Sequence, residues 1–211
     1  NKRAQLEQAL YGLVGRHQQV MIAAQLRHID FLDQEIEALS GEIEERLRPF
    51  EQSLAYLDSI PGVGRRTAEM ILAEIGFDMK RFPTAGHLAS WAGMCPGNNE
   101  SAGRQKSGRT RKGSPWLREA LVEAAQTAAR TRNTYLASQY YRIAARRGAK
   151  RTVVAVGHTI LVIAYHLLKH QTPYTDLGAN YFDEQDKMAI LRRSVKRLEK
   201  LGYKVSVEPA A

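Results

Sequence analysis

A chain of 211 residues, 44% hydrophobic and 25% charged, is long enough for a sizeable core and has an ordinary globular composition. Its one cysteine, Cys95, excludes an internal disulfide framework and suits a reducing cytoplasm. Val153 to Leu168, the most apolar run, is interrupted by Gly157, His158 and His166 and is short for a membrane span. The net charge of +9 is unevenly placed: residues 101–175 hold fourteen basic side chains against Glu119 and Glu123, while residues 1–50 and 51–100 are each at −2 and 176–211 at +1. Such a footprint favours nucleic acid over a membrane surface or an acidic protein partner.

In chain order, Leu6, Leu10, Leu13, His17, Val20 and Ala24 alternate spacings of four and three. After a phase slip Leu26, Ile29, Asp33, Ile36, Leu39, Ile43 and Leu47 do so too. The pattern predicts a long helix or helical hairpin with a coiled-coil seam, ending before Pro49 and weakened near Gly12 and Gly15. A narrow seam needs a partner helix, so residues 1–48 are expected to dimerise. The start at Asn1, already within a helical pattern, reads as a fragment. Leu54–Ile60, Pro61-Gly62-Val63-Gly64 and Arg65–Gly76 read as a helix-hairpin-helix. Val63 would plug the core, and Gly62, Gly64, Arg65 and Arg66 would face a phosphate at the second helix's N-terminus. The plainer alternative is a tight interhelical turn with no ligand.

Thr84 to Gly93 predicts a short helix with Leu88, Trp91 and Ala92 inward, and Cys95 follows in an apolar run as a buried structural residue. Pro96 to Ser114 has no apolar periodicity and reads as a glycine-rich basic loop. Its glycines let backbone approach a ligand, and its cations have no acidic partner after Glu100. Three serines in it, Ser101, Ser107 and Ser114, are possible nucleophiles at a phosphodiester. Pro115 opens a helix through Leu117, Leu121, Ala124 and Ala128. Tyr135–Ala145 is another, 146–151 a basic turn, and Thr152–Leu168 a buried core helix; Asp183 caps a last helix through Leu201, stopped by Gly202. Strand signals are nearly absent, so the fold class is all-α: a coiled coil (1–48), a compact helical domain (49–182) and a C-terminal helix and tail (183–211).

Ser59–Ala68, Leu88–Ser101 and Gly108–Arg118, in that order and followed by an alanine-rich helix, resemble the C-terminal transposase domain of bacterial insertion-sequence transposases of the DEDD-plus-serine, bridge-RNA-guided class, relatives of the Piv invertase. The resemblance covers about residues 50–182, with residues 1–50 matching that family's coiled coil. It implies a site-specific DNA recombinase whose partners are DNA, a structured guide RNA and further copies of itself, with no membrane, in a bacterial cytoplasm. It also implies an acidic RuvC-like domain before the coiled coil, where magnesium is expected; this segment itself is expected to hold no cofactor or metal and to be inactive alone.

The family's nucleophile maps to Ser101, with Ser107 as its competitor because Ala102-Gly103 follows Ser101 where some relatives have Ser-Gly directly. Nucleic-acid contacts are expected from Asn98, Asn99, Arg104, Lys106, Arg109, Arg111, Lys112 and Arg118, and from Arg146, Arg147, Lys150 and Arg151. No histidine is near these serines in sequence, so a base or metal would come from the acidic domain. His158 and His166 read as core or interface residues, His87 and His170 lack metal-ligand companions, and Glu119 and Glu123 read as a solvated helix face. The rival reading is a non-catalytic helix-hairpin-helix DNA-binding module with a coiled-coil dimeriser.

Overall fold

The computed structural model describes residues 14–97 and 99–207, with residues 5, 8 and 12; the side chains of 99, 100 and 104–107 lie outside that description. The chain divides into two compact units, Asn1–Pro49 and Phe50–Ala211.

In the first unit, α1 (Arg16–Leu47) begins where the sequence weakens the helix: Gly12 has φ of +78°, and the Gln18 amide oxygen accepts from the Gly15 N–H at 2.6 Å. The expected seam residues Val20, Leu26, Ile29, Ile36, Leu39 and Ile43 are all exposed, and no residue of α1 is buried. Leu6, Leu10 and Leu13 lie outside the described residues.

In the second unit α2 (Glu51–Asp58), α3 (Arg65–Ile75) and α4 (Ala85–Trp91) precede a two-stranded antiparallel ribbon of β1 (Asn99–Ser101) and β2 (Arg104–Ser107). Then come α5 (Pro115–Arg130), α6 (Tyr135–Arg147), α7 (Ala149–His170), α8 (Tyr181–Gln185) and α9 (Lys187–Lys200). The all-α expectation holds, with this ribbon added. Thr84, Ser114 and Thr134 start α4, α5 and α6, each side chain accepting a first-turn N–H that would otherwise be orphaned.

Helix α7 is the centre, with α2, α4, α5 and α6 packed on it. Val156, Ile160, Leu161 and Ala164 on α7, and Leu117, Leu121, Ala124 and Ala128 on α5, are fully or almost fully buried. Short side chains on α5 let helix backbones come close, so that a Cβ added at Gly157 would lie 3.0 Å from the Leu121 carbonyl oxygen. The phenol of buried Tyr165 donates to the carbonyls of Phe82 and Pro83, fastening the α3–α4 connection to the core. Among the described residues α7 alone is long and apolar enough to cross a membrane, and half of that stretch is buried in this unit, as in a core helix.

Three local expectations are corrected. Trp91 is half exposed and packs its ring on Phe82 instead of pointing inward, because α4 buries only its Leu88–Ala89 side. The basic turn at 146–151 is two helix ends: Gly148, at φ +76°, alone separates α6 from α7 and leaves Arg146, Arg147, Lys150 and Arg151 helical. Asp183 lies inside α8, and the chain breaks at Asp186, which forms an ion pair with Arg142 at 2.6 Å.

Candidate nucleic-acid interface

The turn between α2 and α3 is built for packing. Val63 is buried, as its sequence context requires. Gly62 has φ of +89°, and a Cβ there would stand 2.4 Å from the Ala124 carbonyl oxygen and 2.5 Å from the Ala128 nitrogen. Only glycine lets this turn seat on the α5 backbone. Gly64 is open, with nothing near its missing Cβ. The Arg65 guanidinium binds both Glu51 oxygens and, at 2.9 Å, a Glu69 oxygen, while Arg66 reaches the other Glu69 oxygen at 3.2 Å. Donation to Glu51 first, then to Glu69, holds Arg65 more firmly protonated than usual, and Arg65 in turn holds the exposed Glu51 carboxyl below its ordinary range. The two arginines thus begin with two carboxylates in place.

The basic loop begins and ends at one point. A Cβ on Gly93, whose φ is +66°, would meet the Arg111 carbonyl oxygen at 2.7 Å and the Gly113 nitrogen at 2.8 Å; one on Gly113 would collide with the Ala92 carbonyl. Arg118 closes this base: one guanidinium nitrogen donates to the Gly93 carbonyl, to Thr110 Oγ1 at 2.8 Å and to the Arg111 carbonyl at 3.4 Å. Sequence reading gave Arg118 a phosphate; the structure gives it three protein acceptors. Its spacing from Gly93 carries no local signal that could have revealed this. Above the base, Pro96 pairs with Thr110, and the Gly97 N–H donates to the Arg109 carbonyl at 2.8 Å.

Asn99 stands opposite Ser107, Glu100 opposite Gln105, and Ser101 opposite Arg104, with a bulge between Asn99 and Glu100. The tip is Ala102-Gly103, both at positive φ (+52° and +73°), the signs demanded by a two-residue type I′ hairpin turn. Ser101 is the last strand residue before that turn, and it is exposed. Ser107 backs Asn99 on the opposing strand, so the ribbon brings both candidate serines onto one short ladder. Ser114 is elsewhere: its hydroxyl accepts from the Leu117 N–H at 3.2 Å and starts α5. Asn98 lies outside the described residues, as do the side chains of Asn99, Arg104, Lys106 and Ser107.

Arg109, Arg111 and Lys112 are exposed on the descending side of the ribbon, and Arg146, Arg147, Lys150 and Arg151 around the α6–α7 junction. Glu119 and Glu123 are exposed on α5. Cys95 is half-buried at the foot of the ribbon, less enclosed than its apolar neighbours suggest. His158 is half-buried and desolvation lowers its pKa, whereas His166 is exposed and stacks on His170. His87 Nδ1 lies 2.8 Å from Thr84 Oγ1 at the start of α4. Among the described residues no group of three or more His, Cys, Asp or Glu is arranged to hold a metal ion.

Residues 54–142, from buried Leu54 through the ribbon to Arg142, match the family described as Transposase IS116/IS110/IS902. This supports the insertion-sequence transposase family. The chain is 44% identical over 71 residues to the "Insertion element IS110 uncharacterized 43.6 kDa protein" of Streptomyces coelicolor, a stretch covering 33% of this chain and 17% of that protein. It is 29% identical over 123 residues to the "Pilin gene-inverting protein" of Moraxella bovis, covering 57% of this chain and 38% of the relative, and equally to that of Moraxella lacunata. The chain thus spans well under half the length of each of these relatives. The transposase match encloses both the α2–α3 turn and the ribbon.

Proposed function

We propose that the chain is part of a site-specific DNA recombinase in which the ribbon delivers Ser101 to a scissile phosphate, while the cations beside it bind the DNA and a structured guide RNA. The carrying observation is an exposed hydroxyl at the tip of a ribbon whose base is fixed by Gly93, Gly113 and Arg118, in a segment of net charge +12. In the reaction, Ser101 Oγ gives up its proton to a base outside this ribbon, and an Oγ–P bond forms. The bond from phosphorus to one deoxyribose oxygen breaks, and that oxygen leaves with a proton. Arg109, Arg111 and Lys112 neutralise the phosphoryl charge. The acidic RuvC-like domain implied by the resemblance would hold the magnesium.

The non-catalytic helix-hairpin-helix alternative places the phosphate at the α2–α3 turn. The packing of Gly62 and the carboxylates on Arg65 weigh against it. We further propose that α1 joins two copies through Ile29, Ile36 and Ile43, which one chain leaves exposed, and that the protein acts in the bacterial cytoplasm. Ile36→Asp with Ile43→Asp should give monomers by light scattering, because charge would enter an apolar contact; a wild-type chain that is monomeric at high concentration would refute this.

The decisive experiment traps the covalent protein–DNA adduct in the full-length enzyme. Ser101→Ala should abolish it and strand cleavage while leaving nucleic-acid binding nearly intact, since one hydroxyl adds little to many phosphate contacts. An adduct that survives Ser101→Ala but not Ser107→Ala moves the nucleophile across the ladder. Survival in both variants removes the ribbon from the chemistry.

A further inference from the structure

A cleft of about 710 Å³ opens where α5 ends and α6 begins, closed on its far side by Ala179, Phe182 and Asp183. It lies at the C-terminal end of α5, whereas the ribbon's base adjoins the N-terminal end; the helix between is 16 residues long, about 24 Å at 1.5 Å per residue. None of the expected site residues lines it. We propose that it is a second nucleic-acid contact, holding one unpaired nucleotide with its phosphate between Arg130 and Arg132 and its base against Tyr141. The proposal rests on the nucleic-acid reading above and adds a site to it.

Charge is the first support. Arg130 and Arg132 are exposed at the rim, and the Arg142 guanidinium sits 5.3 Å above the Phe182 ring and pairs with Asp186 behind it. Asp183 is the one carboxylate in the lining, so the cleft is net positive. Shape is the second: a concavity of this size takes a nucleotide, while a flat basic face would take only backbone. The third is Tyr141, 65% exposed although it is a large ring, with Tyr140 edge-on beside it. An exposed aromatic beside arginines is how proteins hold unstacked bases, since every base offers a ring face whatever its sequence. Duplex bases are already stacked on one another, so this chemistry selects an unpaired one.

The backbone that carries Arg132 is also held. Thr134 Oγ1 donates to the Thr131 carbonyl at 2.9 Å and accepts from the Ala137 N–H, and Asp176 accepts the Tyr135 N–H at 3.0 Å. The turn from which Arg132 projects is therefore tied at both ends before any ligand arrives.

Photo-cross-linking of the full chain to a short single-stranded oligothymidylate carrying one 5-iodouracil tests this, with the ribose analogue and a duplex of the same length run beside it. The cross-link should map to Tyr141 by mass spectrometry. Tyr141→Ala should weaken single-strand binding about tenfold with little change for duplex, and Tyr141→Phe should restore it. Arg130→Ala with Arg132→Ala should lower the slope of log affinity against log salt by about 0.7 for the single strand, the share of one phosphate contact. The deoxy and ribose arms tell whether the unpaired strand is DNA or RNA. A cross-link absent from residues 130–142, or unchanged single-strand affinity in Tyr141→Ala, overturns the proposal. If that occurs while Arg109→Ala/Arg111→Ala/Lys112→Ala loses duplex binding, the cleft alone falls. A wild-type chain that binds neither strand nor duplex overturns the reading on which both rest.

Discussion

The α2–α3 turn and the ribbon look alike as sequence: each sets glycines beside paired basic residues, and each suits a phosphate. In the fold their members are engaged differently. At the turn, Gly62 is consumed by contact with the α5 backbone, and Arg65 and Arg66 are held by Glu51 and Glu69. In the ribbon the contact glycines, Gly93 and Gly113, lie at the base, and Arg109, Arg111 and Lys112 stand exposed. Packing and carboxylates account for the cluster at the turn, which is why the proposed phosphate site is placed at the ribbon.

The largest expected effect that would break this contrast is on binding. Replacing Arg109, Arg111 and Lys112 by alanine should reduce the slope of log affinity against log salt by about 2.7 for duplex DNA, one counterion per lost phosphate contact. The same change at Arg65 and Arg66 should leave that slope in place and lower stability instead. Equal slopes in the two variants, measured by fluorescence anisotropy over a salt series, would erase the distinction.

Stability sharpens it next. Gly62→Ala puts a methyl against backbone that has no flexible end to move, at a positive φ, and should cost about 3 kcal/mol or more. Gly64→Ala, in open space but at the N-cap of α3, should cost no more than about 1 kcal/mol. Urea melts of the two variants check the pair; similar midpoints would mean the turn does not seat on α5.

Much of the helical core was legible in the sequence, because its residues obey one period. Leu117, Leu121, Ala124 and Ala128 line up and are buried, Val63 fills the turn, and Gly76 at φ +74° ends α3. The ribbon was not legible. Its strands lack apolar alternation, and its register is set by the Ala102-Gly103 turn and by glycines that touch across residues distant in sequence. The acceptors of Arg118 were hidden for the same reason: it looks like its cationic neighbours, and only the fold brings three acceptors to it. The cleft beside Tyr141 draws on α5, α6 and the 179–183 segment together, so no single window of sequence displays it.

The smallest expected effect is on pH. Arg65 lowers the Glu51 carboxyl in the folded state, so that carboxylate's contribution is complete above its unfolded pKa and is lost as pH falls through the lowered folded value. Glu51→Gln should remove part of the acid-side slope of stability against pH while leaving the salt slope of binding untouched. An unchanged acid limb in thermal melts would mean that this exposed pair is inert in solution.

The contact of Gly93 with Gly113 has a consequence for how such a protein can vary. The chain leaves and re-enters the helical body at a single point, so the entropy of closing the excursion is already met by the core. Residues beyond the Pro96–Thr110 pairing can therefore be lengthened, shortened or exchanged for a relative's without disturbing α4 or α5, whereas buried Met94 and the Arg118 acceptors Thr110 and Arg111 belong to the base. The helical body behaves as a handle, and the ribbon as an interchangeable bit.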